Sequence, residues 1–213
     1  MSKTKLFLDF DNTIVDTIAA VVSLYNEDYS SHDGFVSINP KDVTSWEFKE
    51  CNLATYEEID KYFGDERFFQ RIKLYPGARQ ALRSLSHMYD IAIVSHGYAK
   101  NLELKEKWVK DKLFKEIFDS SCNAEFIGVN WKEHSDKSHV DMSNSIFVDD
   151  SIKNLETSNA KYKILYGEYM DWNNMNNKFI RCKNWKNLLR QILFSEMLEC
   201  FRGSKKWRIK TKK

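Results

Sequence analysis

Two aspartates spaced two positions apart, Asp9 and Asp11, are the residues of this chain that most directly suggest chemistry. Carboxylates this close repel each other, and burying them without a cation is costly. A bound divalent metal ion is the simplest compensation, because hard cations prefer oxygen ligands. A strand followed by an ordinary turn is the alternative, since Asp and Asn are also frequent in turns. These two residues alone leave both interpretations open.

The residues before the first aspartate predict the element that positions the pair. Leu6, Phe7 and Leu8 form a short apolar run ended by polar residues, which is typical of a buried strand. The chain should turn at the strand end, so that one aspartate offers its carboxylate and the other its backbone carbonyl. Another apolar run later in the chain ends in Asp149 and Asp150, which could equally cap a helix.

Apolar periodicity predicts further strands and helices that alternate along the chain. The predicted strands lie at 90–95, 124–129, 145–149 and 163–166, and the predicted helices at 14–30, 76–88, 98–113, 151–158 and 184–201. This alternation indicates an α/β fold with a doubly wound parallel sheet. Ligands bind such sheets at the carboxyl ends of the strands, where Asp9, Ser95 and Asp149 all fall.

One segment interrupts this alternation. Residues 31–75 read as short helices and loops rich in aromatic side chains. We therefore predict a small helical cap at 15–75, inserted after the first strand. The core domain would then comprise 1–14 and 76–201, followed by a basic tail at 202–213. Asn12 or Thr13 is expected to cap the first helix of the insert.

Composition limits the classes of partner. The formal net charge of the 213-residue chain is only +2, so nothing in the overall charge demands nucleic acid. The basic tail is most simply a solvated terminus, and a nucleic-acid contact is the less favoured alternative. The four cysteines form no Cys-x-x-Cys pair, and no apolar stretch of about 18 residues could span a membrane. We expect a cytoplasmic protein without a membrane partner, and its oligomeric state stays open.

Four motifs occur in the order found in one superfamily. The sequence Asp-Phe-Asp-Asn-Thr at 9–13 resembles the first motif of the haloacid dehalogenase (HAD) superfamily of phosphatases. The strand ending at Ser95 resembles the second motif, Lys137 the third, and the strand ending at 149–150 the fourth. Each motif is weak alone, but four in order are specific. The resemblance implies a Rossmann-like core with a cap after the first strand.

The resemblance also implies roles for the acids. Asp9 would attack phosphorus and become an aspartyl phosphate, while Asp11 would act as general acid and then as general base. Mg²⁺ would be held by Asp9, the Asp11 carbonyl and Asp150, with Asp149 as the alternative or outer acid.

Three further side chains would contact the phosphoryl group. Ser95 would donate a hydrogen bond to it, Lys137 would offset its charge, and His96 could contact it. Each has an ordinary alternative: a turn serine, an exposed loop histidine, or a neighbouring lysine such as Lys132 in the third motif.

Within the superfamily, the chain is similar to the 5′(3′)-deoxyribonucleotidases. The stretches that carry this similarity are 68–78, 136–138, 146–150 and 184–186. It implies hydrolysis of nucleoside monophosphates, with cap aromatics contacting the base.

Trp46 and Phe48 are the candidates for that contact, although both could simply pack the cap. The chain departs from the family with Asn12 in place of glycine and Ser95-His96-Gly97 in place of Thr-Ser-Pro.

Two other functions stay open from the sequence. One is a phosphatase for another small phosphoester or for a nucleic-acid end, which the basic tail would suit. The other is a non-enzymatic interaction protein on the same fold. The intact acids argue against the second, because such acids are costly to keep without a metal.

Overall fold

A six-stranded parallel sheet is the frame of the computed structural model, which describes residues 3–168, 170–173 and 178–194. Its strands are β1 (Thr4–Asp9), β2 (Tyr89–Gly97), β3 (Ala124–Asn130), β4 (Ile146–Asp149), β5 (Tyr162–Tyr166) and β6 (Ile180–Cys182). They lie in the order β3-β2-β1-β4-β5-β6. The doubly wound parallel sheet is therefore confirmed. The strand order reverses between β1 and β4, and ligands of such sheets bind at that point.

Seven helices accompany the sheet in the described part of the chain. They are α1 (Thr17–Tyr29), α2 (Tyr56–Tyr62), α3 (Glu66–Arg71), α4 (Ala78–Met88), α5 (Ala99–Val109), α6 (Ile152–Thr157) and α7, which covers 185–194. A 3₁₀ turn forms at Pro40–Asp42, and a π turn at Lys110–Phe114 continues α5. The rest of the helix predicted up to residue 201, and the basic tail at 202–213, lie outside the described residues.

Both faces of the sheet are covered, as a central parallel strand requires. Leu6 and Leu8 of β1 belong to the larger apolar cluster, which also contains residues of α1, α4 and α7. Phe7 points to the opposite face and joins the smaller cluster with Leu155 of α6. The short apolar run is thus buried on both sides, which fixes the position of the two aspartates that follow it.

Two local predictions were wrong or incomplete. Asp16, rather than Asn12 or Thr13, is the N-cap of α1, because the turn after β1 runs to residue 16 and the Asp16 side chain accepts from the Ala19 amide at 2.9 Å. Strand β6 was not predicted. It has only three residues, and its Ile180 is 55% exposed, so no alternating apolar pattern marks it.

The two ends of the segment between β1 and α4 lie next to each other. Val15 forms isolated β-bridges with Asp11 and with Leu74, and the Asp16 amide donates to the Lys73 carbonyl at 2.9 Å. The segment contains α1, α2, α3 and the 3₁₀ turn, and its ends lie beside the first aspartates. Its division from the core as a cap at 15–75 stays a prediction. No helix in the described part of the chain is long and apolar enough to cross a membrane.

Candidate active site

The turn after β1 sends Asp9 and Asp11 in different directions. Asn12 has a φ of 51°, a left-handed conformation that asparagine and glycine tolerate better than other residues. This explains how asparagine can stand where the related phosphatases have glycine. Asp9 is 5% exposed, and one of its carboxylate oxygens, Oδ1, accepts from Lys137 Nζ. The other, Oδ2, is buried without a hydrogen-bond partner among the described residues.

The end of β4 places two more carboxylates beside Asp9. Asp149 accepts from Lys137 Nζ at 2.7 Å, from the Ser151 amide at 2.8 Å and from Asn154 Nδ2 at 3.2 Å. Asp150 Oδ2 accepts from the Trp172 indole at 2.8 Å. Asp9, Asp149 and Asp150 each offer an oxygen within 4.8 Å of the others, a grouping that could hold a metal ion.

Burial and mutual repulsion disturb the charges of this cluster. Burial raises the pKa of Asp9 to about 7; Lys137 opposes this shift, and Asp149 and Asp11 add to it. Burial, with repulsion from Asp9 and Asp149, likewise holds the pKa of Asp150 well above its ordinary value. Burial acts to lower the pKa of Lys137, but the carboxylates of Asp149 and Asp9 outweigh it and raise that pKa. One lysine therefore does not offset the three acids, and a cation would fit.

Lys137 was one of several lysines that could have been the third-motif residue. It is fully buried and contacts both Asp9 and Asp149, whereas Lys132 is exposed. The structure thus brings Lys137 to the acid cluster.

A second buried lysine, Lys105 of α5, was missed from the sequence. It is 2% exposed, and its Nζ contacts Asp11 Oδ2 and lies 2.9 Å from Ser95 Oγ and 3.2 Å from the His96 carbonyl. Helix α5 carries several lysines, so composition does not single this one out. The sequence does show that Asn101, Lys105 and the apolar Val109 recur every four residues, which puts them on one face of the helix, and the structure buries all three.

Ser95 and His96 lie near the carboxyl end of β2. Ser95 is buried, and its hydroxyl donates to Asp11 Oδ2 at 3.3 Å. His96 donates from Nε2 to the His134 carbonyl at 2.8 Å, and burial lowers its pKa. His96 lines the cavity above the acids, whereas Ser95 lies beneath Asp11 and is absent from that lining.

A cavity of about 310 Å³ opens above these groups. Its floor is polar and contains Asp9, Asp11, Lys105, Lys137 and Asp150. Its walls are mainly aromatic, with rings from both the insert and the core: Trp46, Tyr56, Phe63, Tyr98, Trp131 and Trp172. The volume lies at the lower end of the range typical of small-molecule sites, roughly 300–1,000 Å³.

The two candidate stacking rings have different surroundings. Trp46 is 37% exposed, lines the cavity and stacks on Phe63 with ring centroids 5.8 Å apart. Phe48 is 2% exposed and is not part of the cavity wall. The structure therefore gives Phe48 a packing position behind Trp46, and among the two only Trp46 can reach a ligand.

Comparisons with known proteins show the family of the chain. A family model described as "5' nucleotidase, deoxy (Pyrimidine), cytosolic type C protein" matches residues 3–198. The chain is 28% identical over 190 residues to the 5'(3')-deoxyribonucleotidase of Clostridium acetobutylicum, covering 87% of this chain and 92% of that protein. It is 24% identical over 196 residues to a 5'(3')-deoxyribonucleotidase of Bacillus subtilis, covering 90% and 99%.

Solved structures share the fold at low identity. A predicted phosphatase from Clostridium acetobutylicum superposes with a TM-score of 0.57 at 12% identity, covering 91% of this chain and 99% of that one. A HAD hydrolase from Bacillus subtilis bound to magnesium gives 0.55 at 12% identity, covering 89% and 98%. The family match sets aside the interpretation as a non-enzymatic interaction protein. With four motif positions meeting at one sheet edge, the chain belongs to the 5′ nucleotidase, deoxy (pyrimidine), cytosolic type C family of HAD-fold phosphoric monoester hydrolases.

Proposed function

We propose that the protein is a Mg²⁺-dependent phosphatase of (deoxy)nucleoside monophosphates that works through an aspartyl-phosphate intermediate. The observation that carries this proposal is the position of Asp9 and Asp150 at the floor of a ring-lined cavity, with the buried Asp149 grouped beside them. The polar floor suits a phosphoryl group, and the aromatic walls suit a nucleobase.

Asp9 is the proposed nucleophile. Lys137 and β1 hold its carboxylate in place, and its unpartnered Oδ2 is the atom available to attack phosphorus. Attack forms the Asp9–phosphorus bond and breaks the bond to the nucleoside oxygen. Water then attacks phosphorus, which releases inorganic phosphate and restores the carboxylate.

Asp11 is the proposed general acid and base. It donates a proton to the departing nucleoside oxygen and later takes one from the attacking water. Its carboxylate is held from three sides, by Thr17 Oγ1 at 2.9 Å, by Ser95 Oγ and by Lys105 Nζ. Lys105 therefore acts through Asp11 as a positioning residue.

Asp9, Asp150 and the Asp11 carbonyl would hold the Mg²⁺, which when bound supplies positive charge that offsets the phosphoryl oxygens. Asp149 would be an outer acid that does not bind the ion directly. Its carboxylate oxygens already accept hydrogen bonds from Lys137, Ser151 and Asn154.

His96 and Lys137, which line the cavity, are proposed to contact the phosphoryl group. Ser95 is proposed to contact it as well, and would have to turn its hydroxyl away from Asp11 to do so.

The direct test is hydrolysis of a panel of nucleoside monophosphates by the purified protein. We expect phosphate release from nucleotides to exceed release from a 5′-phosphorylated oligonucleotide, which tests the nucleic-acid-end alternative. A generic aryl phosphate, which needs no base contact, measures the phosphatase chemistry alone. Hydrolysis of the aryl phosphate and the oligonucleotide without the mononucleotides would contradict the proposed substrate class.

Activity is expected to disappear with a chelator and to return with added Mg²⁺. Replacing Asp150 with alanine should raise the Mg²⁺ concentration needed for half-maximal activity sharply, because one oxygen ligand is lost. A titration of activity against Mg²⁺ measures both effects. Undiminished activity of the chelator-treated protein would contradict the metal site.

Trp46→Ala is expected to weaken nucleotide binding by about 1–3 kcal/mol, the usual value of stacking a base on an aromatic ring. The loss should appear mainly as a raised KM for nucleotides, with little change for the aryl phosphate. Phe48→Leu is the matched control, because Phe48 is buried behind the wall and leucine keeps an apolar side chain there. Equal losses on both substrates would show that Trp46 only packs the insert.

A further inference from the structure

One tryptophan of the cavity wall also reaches the acid cluster. Trp172 lies between β5 and β6, lines the cavity, and donates from its indole N–H to Asp150 Oδ2 at 2.8 Å. Among the described residues, Asp150 receives a hydrogen bond from this indole alone, so its second oxygen, Oδ1, has no donor there. The indole therefore engages one carboxylate oxygen and leaves the other available to a cation.

Two sets of contacts hold the Trp172 ring in place. On the side of the core, the neighbouring Asn173 is 1% exposed, and its side chain accepts from Arg181 Nη1 of β6 at 3.1 Å. On the side of the insert, the Trp172 ring packs edge-on against Trp46, with ring centroids 5.8 Å apart. The position of the indole is thus fixed by parts of the chain other than the acid that it contacts.

We propose that Trp172 is a positioning residue of the metal site, which orients the Asp150 carboxylate so that Oδ1 faces the divalent cation. This inference rests on the proposed function, in which Asp150 is a ligand of Mg²⁺. A carboxylate that is free to rotate loses conformational entropy when it binds an ion, and a fixed donor on its other oxygen lowers that cost beforehand. A hydrogen bond that holds a metal ligand in place typically contributes about 10–100-fold in metal affinity.

The test is direct binding of Mn²⁺ to the protein without nucleotide, measured from the electron paramagnetic resonance signal of the free ion, with Mg²⁺ as competitor. Trp172→Phe keeps an aromatic ring against Trp46 but removes the donor. We expect it to raise the dissociation constants of both ions by about 10–100-fold. At saturating Mg²⁺, kcat for the aryl phosphate should return close to that of the native protein, because the bound ion supplies the same charge.

Trp131→Phe is the matched control. Trp131 lines the same cavity with its ring packed on Tyr98, at 5.6 Å between centroids, and its indole has no hydrogen bond to an acid among the described residues. Its ion affinity should therefore equal that of the native protein.

Three outcomes would contradict these expectations. Unchanged ion affinity of Trp172→Phe, with both ions bound by the native protein, would overturn the role of Trp172 alone. An equal loss of affinity in Trp131→Phe, or a kcat of Trp172→Phe that stays low at saturating Mg²⁺, would also overturn it, by showing that the ring only supports the cavity wall. Failure of the native protein to bind either ion would instead remove the Mg²⁺ site from the proposed function.

Discussion

Turnover is expected to disappear when Asp9 is replaced with asparagine. The amide is nearly the same size as the carboxylate but cannot form the acyl phosphate that the proposed reaction requires. Asp9 lies at the end of a buried strand, and the substitution relieves repulsion with Asp149 while weakening the contact to Lys137. The fold should therefore persist. Phosphate release in the steady state measures the effect, and thermal melting checks the fold.

Asp16→Asn is the control for this change in the same segment. Asp16 caps α1 through its side chain, and asparagine caps a helix about as well as aspartate. Its turnover should stay near that of the native protein. Substantial phosphate release by folded Asp9→Asn protein would exclude Asp9 as the nucleophile. The proposed aspartyl-phosphate reaction at the acid cluster would then be wrong.

The second large effect is expected from Lys105→Met. Methionine has a similar length but cannot donate, so Asp11 Oδ2 and Ser95 Oγ lose their shared cationic partner. A misplaced general acid should lower kcat by about 10²–10⁴-fold, with a smaller change in KM. The loss should be larger for a nucleotide than for an aryl phosphate, because a phenolate leaves with less need of a proton.

Lys107→Met separates this effect from a general loss of positive charge. Lys107 is on the same helix, is 77% exposed at its side chain and pairs with Asp111 at 3.6 Å. Exposed pairs of this kind contribute little to stability, so kinetics and melting should hardly change. A drop in kcat of Lys105→Met that is equal for both leaving groups would argue that Lys105 supports the fold rather than the proton transfer.

Several features of the protein were determined locally and could be predicted from the sequence. An apolar run of three residues identifies β1, and a similar run before Asp149 identifies β4. Such a run is a local feature of the sequence, and it is enough to indicate a buried strand. Parallel strands place their carboxyl ends at one edge of the sheet. The meeting of Asp9 with Asp149 and Asp150 therefore followed from the order of elements alone.

Side-chain direction in helices and loops was decided by the tertiary structure. Lys105 is 94 residues from Asp11 in sequence, and only the packing of α5 against the sheet turns it inward while Lys107 faces solvent. The exposed position of Trp46 and the buried position of Phe48 depend in the same way on how the insert folds.

The different surroundings of the two late acids were also decided by the tertiary structure. Asp149 and Asp150 are adjacent and chemically identical, and only the resemblance to the superfamily favoured Asp150 as the metal ligand, with Asp149 as the alternative or outer acid. The turn after β4 directs Asp149 to Lys137, Ser151 and Asn154, whereas Asp150 faces the cavity and accepts from Trp172. Residue types and their order determined which groups meet. The direction in which each side chain points depends on contacts between distant segments, and only the folded chain specifies those contacts.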